Sequence, residues 1–285
     1  MKKVFLAGIA LLVSQSLFAQ QTLKFSVKYL PMQNYATTMK MDMDMTMNID
    51  DATMALAMKA AGQPAAMLMK MNMGVAMNMA TQAQTAKKDV PFTMTYGDVT
   101  ASGSMNGQEL PIPQTDLKGI IFTGHYSNDT KKVGIDGIQS GTADDAKKAA
   151  AQAQLAQVFN QYTFPDTTLK IGDSFQQNIP LTIPTAAGNT EVNTTIKYTL
   201  KEIKANEAVF DLSQTADAKI DIPQAGGEMV MKGTGAGTMV YDIANKFPAR
   251  STINMDFSFK MKAAGTPISG TMKGLSVTDV KVTKK

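Results

Sequence analysis

The chain has no cysteine and no tryptophan, and it holds one histidine in 285 residues. Without cysteine there is no disulfide, no thiolate metal site, no cysteine nucleophile and no lipid carried on an N-terminal cysteine. The lone His125 excludes a two-histidine metal motif and any multi-histidine centre. A serine–histidine–acid triad would have to recruit His125, which lies just before an expected hairpin turn, and no Gly-x-Ser-x-Gly elbow accompanies it. These absences read as a chain that is not an enzyme and needs no cofactor, with His125 facing solvent or packing. Charge of one sign is scarce too. The formal net charge of +4 falls to +2 once a leader carrying Lys2 and Lys3 is removed, so there is no basic field for nucleic acid. Aromatic residues make up 7%, too few for the girdles of a transmembrane barrel.

Long apolar runs are also missing from most of the chain. Lys2-Lys3 precedes an apolar run from Val4 to Val13, and a polar stretch then ends at Leu17-Phe18-Ala19-Gln20. This is the order of a secretory signal peptide, with cleavage expected after Ala19. No later stretch approaches the ~20 apolar residues of a membrane-spanning helix. The expected compartment is therefore the periplasm or cell envelope.

What remains is rich in methionine, at 23 residues, and alternates with period two. Leu23, Phe25, Val27 and Tyr29 share one face of an opening strand. Met39, Met41, Met43, Met45, Met47 and Ile49 then alternate with Lys40, Asp42, Asp44, Thr46 and Asn48. A second run places Met67, Met69, Met71, Met73, Val75, Met77 and Met79 on one parity. Each run builds a methionine face and a mainly hydrophilic face. Between them Met54, Leu56 and Met58 alternate on even numbers. The preferred reading is a strand bulge at Asp50-Asp51 and a turn at Ala61-Gly62-Gln63-Pro64, giving one long hairpin. The alternative is a short helix from Asp51 to Ala61, capped by Asp50.

Further strands are expected at 90–96, 119–126 and 132–138, the last two joined by Ser127-Asn128-Asp129-Thr130, and again at 176–183, 192–202, 208–213, 228–241, 252–261 and 270–282. One segment departs from the pattern. Ala143 to Tyr162 follows Thr142, which stands three residues before Asp145, and sets Ala151, Leu155, Val158, Phe159 and Tyr162 on one stripe of an amphipathic helix. Met77–Phe92 can be laid on Ile196–Asp211, which suggests two duplicated meanders. The expected fold is thus mainly β (α+β): a long antiparallel, curved sheet or half-barrel with one helix at about 143–162. Its parts are a leader at 1–19, an N-terminal meander at 20–140, a connecting helix at 141–165 and a C-terminal meander at 166–285, the halves forming one domain or two.

Two small motifs are set aside. Gly233-Thr234-Gly235-Ala236-Gly237 lies inside an alternating strand with the wrong spacing for a nucleotide loop, so its glycines are read as a bend or a close approach. Asp42 and Asp44 are read as a solvated outer face rather than a cation site. The methionines carry the functional expectation. They can be plain core, the lining of an adaptable apolar cavity, or soft ligands for Cu(I). The candidate binding residues are Met41, Met43, Met45, Met69, Met71 and Met73.

The leader, the methionine hairpin at 39–79, the 119–138 hairpin followed by the 143–162 helix, Phe164-Pro165 leading to Gly172-Asp173-Ser174-Phe175, and the closing hairpin around Asp242–Pro248 together resemble a family of exported bacterial β-rich proteins defined only as a domain of unknown function. That resemblance carries no activity with it. More remotely, the strand–helix–strand order is similar to the LolA/LolB lipoprotein carriers, whose half-open sheet holds acyl chains. This likeness implies a concave apolar methionine face. The leading expectation is an exported non-catalytic protein that binds an apolar small molecule, a lipid or an envelope partner on that face. A Cu(I)-binding or oxidant-scavenging protein and a purely structural envelope protein are the alternatives.

Overall fold

Period-two alternation is realised as strands that pair almost wholly with their sequence neighbours. The computed structural model describes residues 21–62, 64–111, 118–139, 152, 155, 159, 164–185, 188–222, 227–263 and 265–285. The expected leader, and most of the expected 143–162 helix, lie outside them.

The first half comprises β1 (Thr22–Phe25), β2 (Gln33–Ile49), helix α1 (Ala52–Ala60), β3 (Ala66–Thr81), β4 (Asp89–Met105), β5 (Gln108–Leu110), β6 (Ile121–Ser127) and β7 (Val133–Gln139). The second comprises β8 (Thr167–Lys170), β9 (Ser174–Thr185), β10 (Gly188–Lys204), β11 (Glu207–Ile222), β12 (Gly227–Asp242), β13 (Phe247–Ala263) and β14 (Thr266–Lys284). Twelve strands form one antiparallel sheet in the order β7-β6-β4-β3-β2-β14-β13-β12-β11-β10-β9, with β5 added to β4. The two meanders are joined in the middle, where β2 pairs along its whole length with β14 from Gln33↔Lys284 to Ile49↔Ile268. Among the described residues the sheet does not close between β7 and β9. The fold is mainly β, as expected, and its strands run longer than their apolar alternation alone marks.

The methionine hairpin differs from the preferred reading. There is no bulged strand through Asp50-Asp51. Helix α1 connects β2 to β3, and its cap is Asp51 rather than Asp50: the Asp51 carboxylate accepts from Met54 N at 2.8 Å. Gly62, at φ 73°, follows the last turn in the left-handed conformation that glycine adopts without strain. An alanine-rich stretch between an N-capping aspartate and a glycine favours helix over the parity of three apolar side chains.

The opening segment also differs. Only Thr22–Phe25 is strand, and it pairs with β8 in a separate two-stranded sheet (Leu23↔Leu169). This small sheet covers one end of the large one. Leu23, Phe25 and Leu169 pack with Ile196, Tyr198, Leu200, Phe210, Leu212, Met239 and Tyr241. Beside it a second cluster gathers Tyr35, Met79, Val90, Phe92, Met94, Phe122 and Tyr126, with Tyr29, Leu155, Phe159 and Phe247 laid against it. Gln152, Leu155 and Phe159 are helical, and Gln152 Nε2 donates to the Ile135 carbonyl on the edge strand β7. The expected stripe is thus turned inward at the two of its positions that are described.

Both clusters lie at the end of the sheet marked by the turns at 82–88, 127–131, 205–206 and 243–246, here termed the base. Tyr241 donates from its hydroxyl to Ser26 O at 2.6 Å, and Asp166 pairs with Lys131 and, at 3.6 Å, with Lys28. Burial raises the Asp166 carboxyl, but the Lys131 hydrogen bond and the Lys28 and Lys131 charges outweigh it and hold the group below its ordinary range. These links fasten the covering segments to the base. Met77–Phe92 and Ile196–Asp211 occupy the base ends of the β3–β4 and β10–β11 hairpins.

Candidate ligand-binding face

Toward the opposite end, the tip, the same inner face continues, and among the described residues neither β1 nor β8 packs on it. Here the two methionine runs stand directly opposite one another: Met41↔Met73, Met43↔Met71, Met45↔Met69 and Met47↔Met67. Directly opposed residues of an antiparallel pair hold their Cβ atoms roughly 4.5–5.5 Å apart, so the thioethers form one ladder. All six candidate residues therefore share one patch. Met41, Met43, Met45, Met69 and Met71 are half-buried, and Met73 is 38% exposed. They are not the filled core that the simplest reading of a methionine row expects.

The flanks of the ladder are low. On β4, Gly103 and Ala101 stand opposite Met71 and Met73, and on β14, Gly274 and Ser276 stand opposite Met43 and Met41. Small side chains on both sides leave the flexible thioethers room to change rotamer. Beyond them, Met105, Met272 and Met255 extend the same face onto β4, β14 and β13. Their membership depends on the registers of β4, β13 and β14 against the hairpin, which period-two parity does not encode. Met255 Cε lies over Gly274, within 3.1 Å of where a Cβ would stand.

Next to the ladder the face becomes buried. Phe257 and Phe259 are 6% and 7% exposed and pack with Ala216, Ala218 and Met231, with Met45, Met47, Met255 and Met272 at the margin. Every one of these partners belongs to the same face of the same sheet, so among the described residues the sheet curls toward that face. The glycines of β12 permit this packing. The Phe257 ring occupies the place of a Gly233 Cβ, at 1.8 Å, and Gln214 lies over Gly235. This is the close approach expected of that glycine run. Gln214 Oε1 is buried and accepts no hydrogen bond among the described residues.

The opposite face of the hairpin is polar. Asp42 and Asp44 are exposed there, with Lys70 Nζ 3.9 Å from Asp44. Two open depressions also lie on this polar face, of about 870 and 630 Å³. Thr195, Thr215, Lys232 and Asp256 line the larger, and Asp42, Thr234, Asn254 and Lys273 line the smaller. They are solvent-open gaps between short side chains, and none of the six candidate methionines lines either. Among the described residues the methionine face is a half-buried surface.

No group of three or more histidine, aspartate or glutamate side chains gathers to hold a metal ion among the described residues. His125 Nδ1 lies 2.9 Å from the Asp136 carboxylate, and the ring is laid over Gly134 on the neighbouring strand. Among the described residues no helix is long and apolar enough to cross a membrane.

No family model matches the chain, and no curated protein matches it. Among solved structures it is similar to the type II secretion system secretin GspD of E. coli K12, with 7% identity and a TM-score of 0.25. That match covers 100% of this chain and 55% of the secretin, so the chain spans about half the secretin's length. It is also similar to OccAB4 of Acinetobacter baumannii, with 8% identity and a TM-score of 0.21, over 90% of this chain and 99% of that one. Likenesses at these scores define neither fold nor function.

Proposed function

We propose that this is an exported, non-catalytic protein of the periplasm or cell envelope that binds an apolar ligand, an acyl chain of a lipid, on the methionine-lined half of its sheet. One observation carries the reading: among the described residues the paired methionine ladder is only half-buried, beside a base whose core is buried. Methionine is unbranched and adapts its shape to varied apolar partners, which suits a surface that must hold a flexible chain. The likeness to curved-sheet acyl-chain carriers agrees with the same face.

A second reading has its own support in the register. Four directly opposed methionine pairs place soft thioether ligands close together, which suits Cu(I). Changing all six candidate methionines to leucine separates the two, because leucine keeps the apolar surface and removes the sulfur. Native mass spectrometry of protein taken from the exported fraction is the direct measurement. The proposal expects an added mass in the lipid range that persists in the six-leucine variant and is lost in Met43→Lys/Met71→Lys. A copper-sized increment lost in the six-leucine variant would favour the second reading. A bare polypeptide mass in both proteins would sink the two together.

A further inference from the structure

Helix α1 stands at the rim of the methionine-lined half, between the tip ends of β2 and β3. Its nine residues, Ala52–Ala60, include only Thr53 and Lys59 as polar side chains, and none of the nine is buried. Leu56 is 68% exposed and Met54 46% exposed. Ala55 and Met58 lean inward and are half-buried. On the adjoining end of β3, Leu68 is 55% exposed although it belongs to the polar face. A helix this short is below the ~12–15 residues that hold together in water without tertiary support. The fold therefore keeps a capped apolar helix in the position where burial stabilises it least.

The distribution of these side chains indicates what covers them. A groove on a protein partner covers one stripe of a helix and leaves a charged face to solvent. Helix α1 has no such face: apolar residues point outward on several sides, and Leu68 adds another beside it. An environment that surrounds a protruding tip meets that pattern. At ~1.5 Å per residue the helix is roughly 14 Å long, far short of a bilayer's ~30 Å hydrocarbon core. A helix of that length reaches no deeper than the interfacial layer and cannot span. Asp50 and Asp51 at its start and Lys59 in its last turn would remain at headgroup level.

We propose that α1 and the adjoining Leu68 form a membrane-contacting tip that dips into the interfacial layer of a lipid bilayer. The inference stands on the rim and does not depend on what the methionine face holds. The test is flotation of the full protein with phosphatidylethanolamine/phosphatidylglycerol vesicles, beside Met54→Lys/Leu56→Lys. Both positions are exposed, and Met54 loses only one surface contact, the Thr266 hydroxyl donating to its sulfur at 3.3 Å, so the variant is expected to keep the wild-type melting curve and circular dichroism. Wild type should float, and the variant should lose vesicle partitioning by about tenfold or more at unchanged solution mass. Leu56→Trp supplies a reporter free of background, since the chain has no other tryptophan. Its emission should shift to the blue when vesicles are added. Wild type that does not float overturns the proposal, and so does a variant that floats equally well. A variant that changes only the oligomeric mass overturns it in favour of a second copy of the chain, and an unshifted Trp emission counts against it equally.

Discussion

The base and the tip of one sheet are built from different apolar residues, and the difference separates a specified core from an adaptable surface. At the base, rings meet rings: Phe25 packs against Phe175 at 5.1 Å, Phe210 at 5.2 Å and Tyr241 at 4.9 Å between centroids. Tyr29 similarly touches Tyr35, Tyr126 and Phe247. Such contacts fix orientation as well as burying area. At the tip, Phe257 and Phe259 are surrounded by methionine, alanine and glycine, and the ladder of β2 and β3 is half-open. Unbranched thioethers fill space without selecting one arrangement. Stability should therefore be concentrated at the base, with ligand or partner contact left to the tip.

The sharpest way to break this comparison is to empty the centre of the base. Phe25 is fully buried, and Phe25→Ala should cost about 3–5 kcal/mol, the range for a buried aromatic deletion. Urea unfolding followed by circular dichroism measures it. Because β1 shares no strand pairing with the large sheet and is held to it by packing and the adjacent Tyr241–Ser26 hydrogen bond, the same change should release the 22–25 and 167–170 pairing early, visible as fast amide exchange in both segments. A loss below 1 kcal/mol would mean that the small sheet is decoration and that the base is not where stability resides.

How far each region is legible in the sequence follows from the same contrast. Alternation places the strands and shows which parity faces inward, because side chains on a strand point to opposite faces by geometry. That the two methionine runs share one face depends further on the β2–β3 register, Met43↔Met71, which alternation alone does not encode. Alternation is blind to three things. It does not mark the ends of strands where the pattern fades, so β4 continues past Tyr96 to Met105, across a register shift between Val75 and Met77 of its partner strand. Asn106-Gly107, with both residues at positive φ, is the hairpin signal that follows it. Alternation misreads α1, where alanine and a capping aspartate outweigh parity. It also cannot show that β1 leaves the large sheet to pair with β8 and cover its base, which is a tertiary event.

A smaller effect, confined to the base, comes from its tyrosines. Burial pushes Tyr35 and Tyr126 up to about 12 and raises Tyr29, Tyr96 and Tyr241 as well, against an ordinary value of 10.0. The unfolded chain releases the Tyr35 and Tyr126 protons from about pH 10, while the folded chain holds these two until about 12. Above pH 10 the unfolded state thus binds fewer protons, and stability falls as pH rises toward 12, the tyrosine contribution being complete below 10. The urea midpoint should drop across that interval, and Tyr35→Phe/Tyr126→Phe should flatten the drop. A midpoint equally steep in the double variant would assign the alkaline loss to other groups.

The smallest effect belongs to the tip. Met43 and Met71 face each other, with Gly103 beside Met71 and the flexible Met255 end over Gly274 beside Met43, so a branched side chain meets only small or adaptable neighbours. Met43→Leu/Met71→Leu conserves volume and should change stability by under about 1.5 kcal/mol, with the melting of the base unaltered. The same substitution at a buried methionine of the base, Met94→Leu, meets a fixed environment of Phe92, Phe122 and Met79 and should cost at least as much from a single site. Measuring both by urea unfolding sharpens the comparison to one residue type in two surroundings. If the tip pair proved the costlier, the ladder would be a specified packing arrangement, and the adaptable surface would have to be sought elsewhere on the sheet.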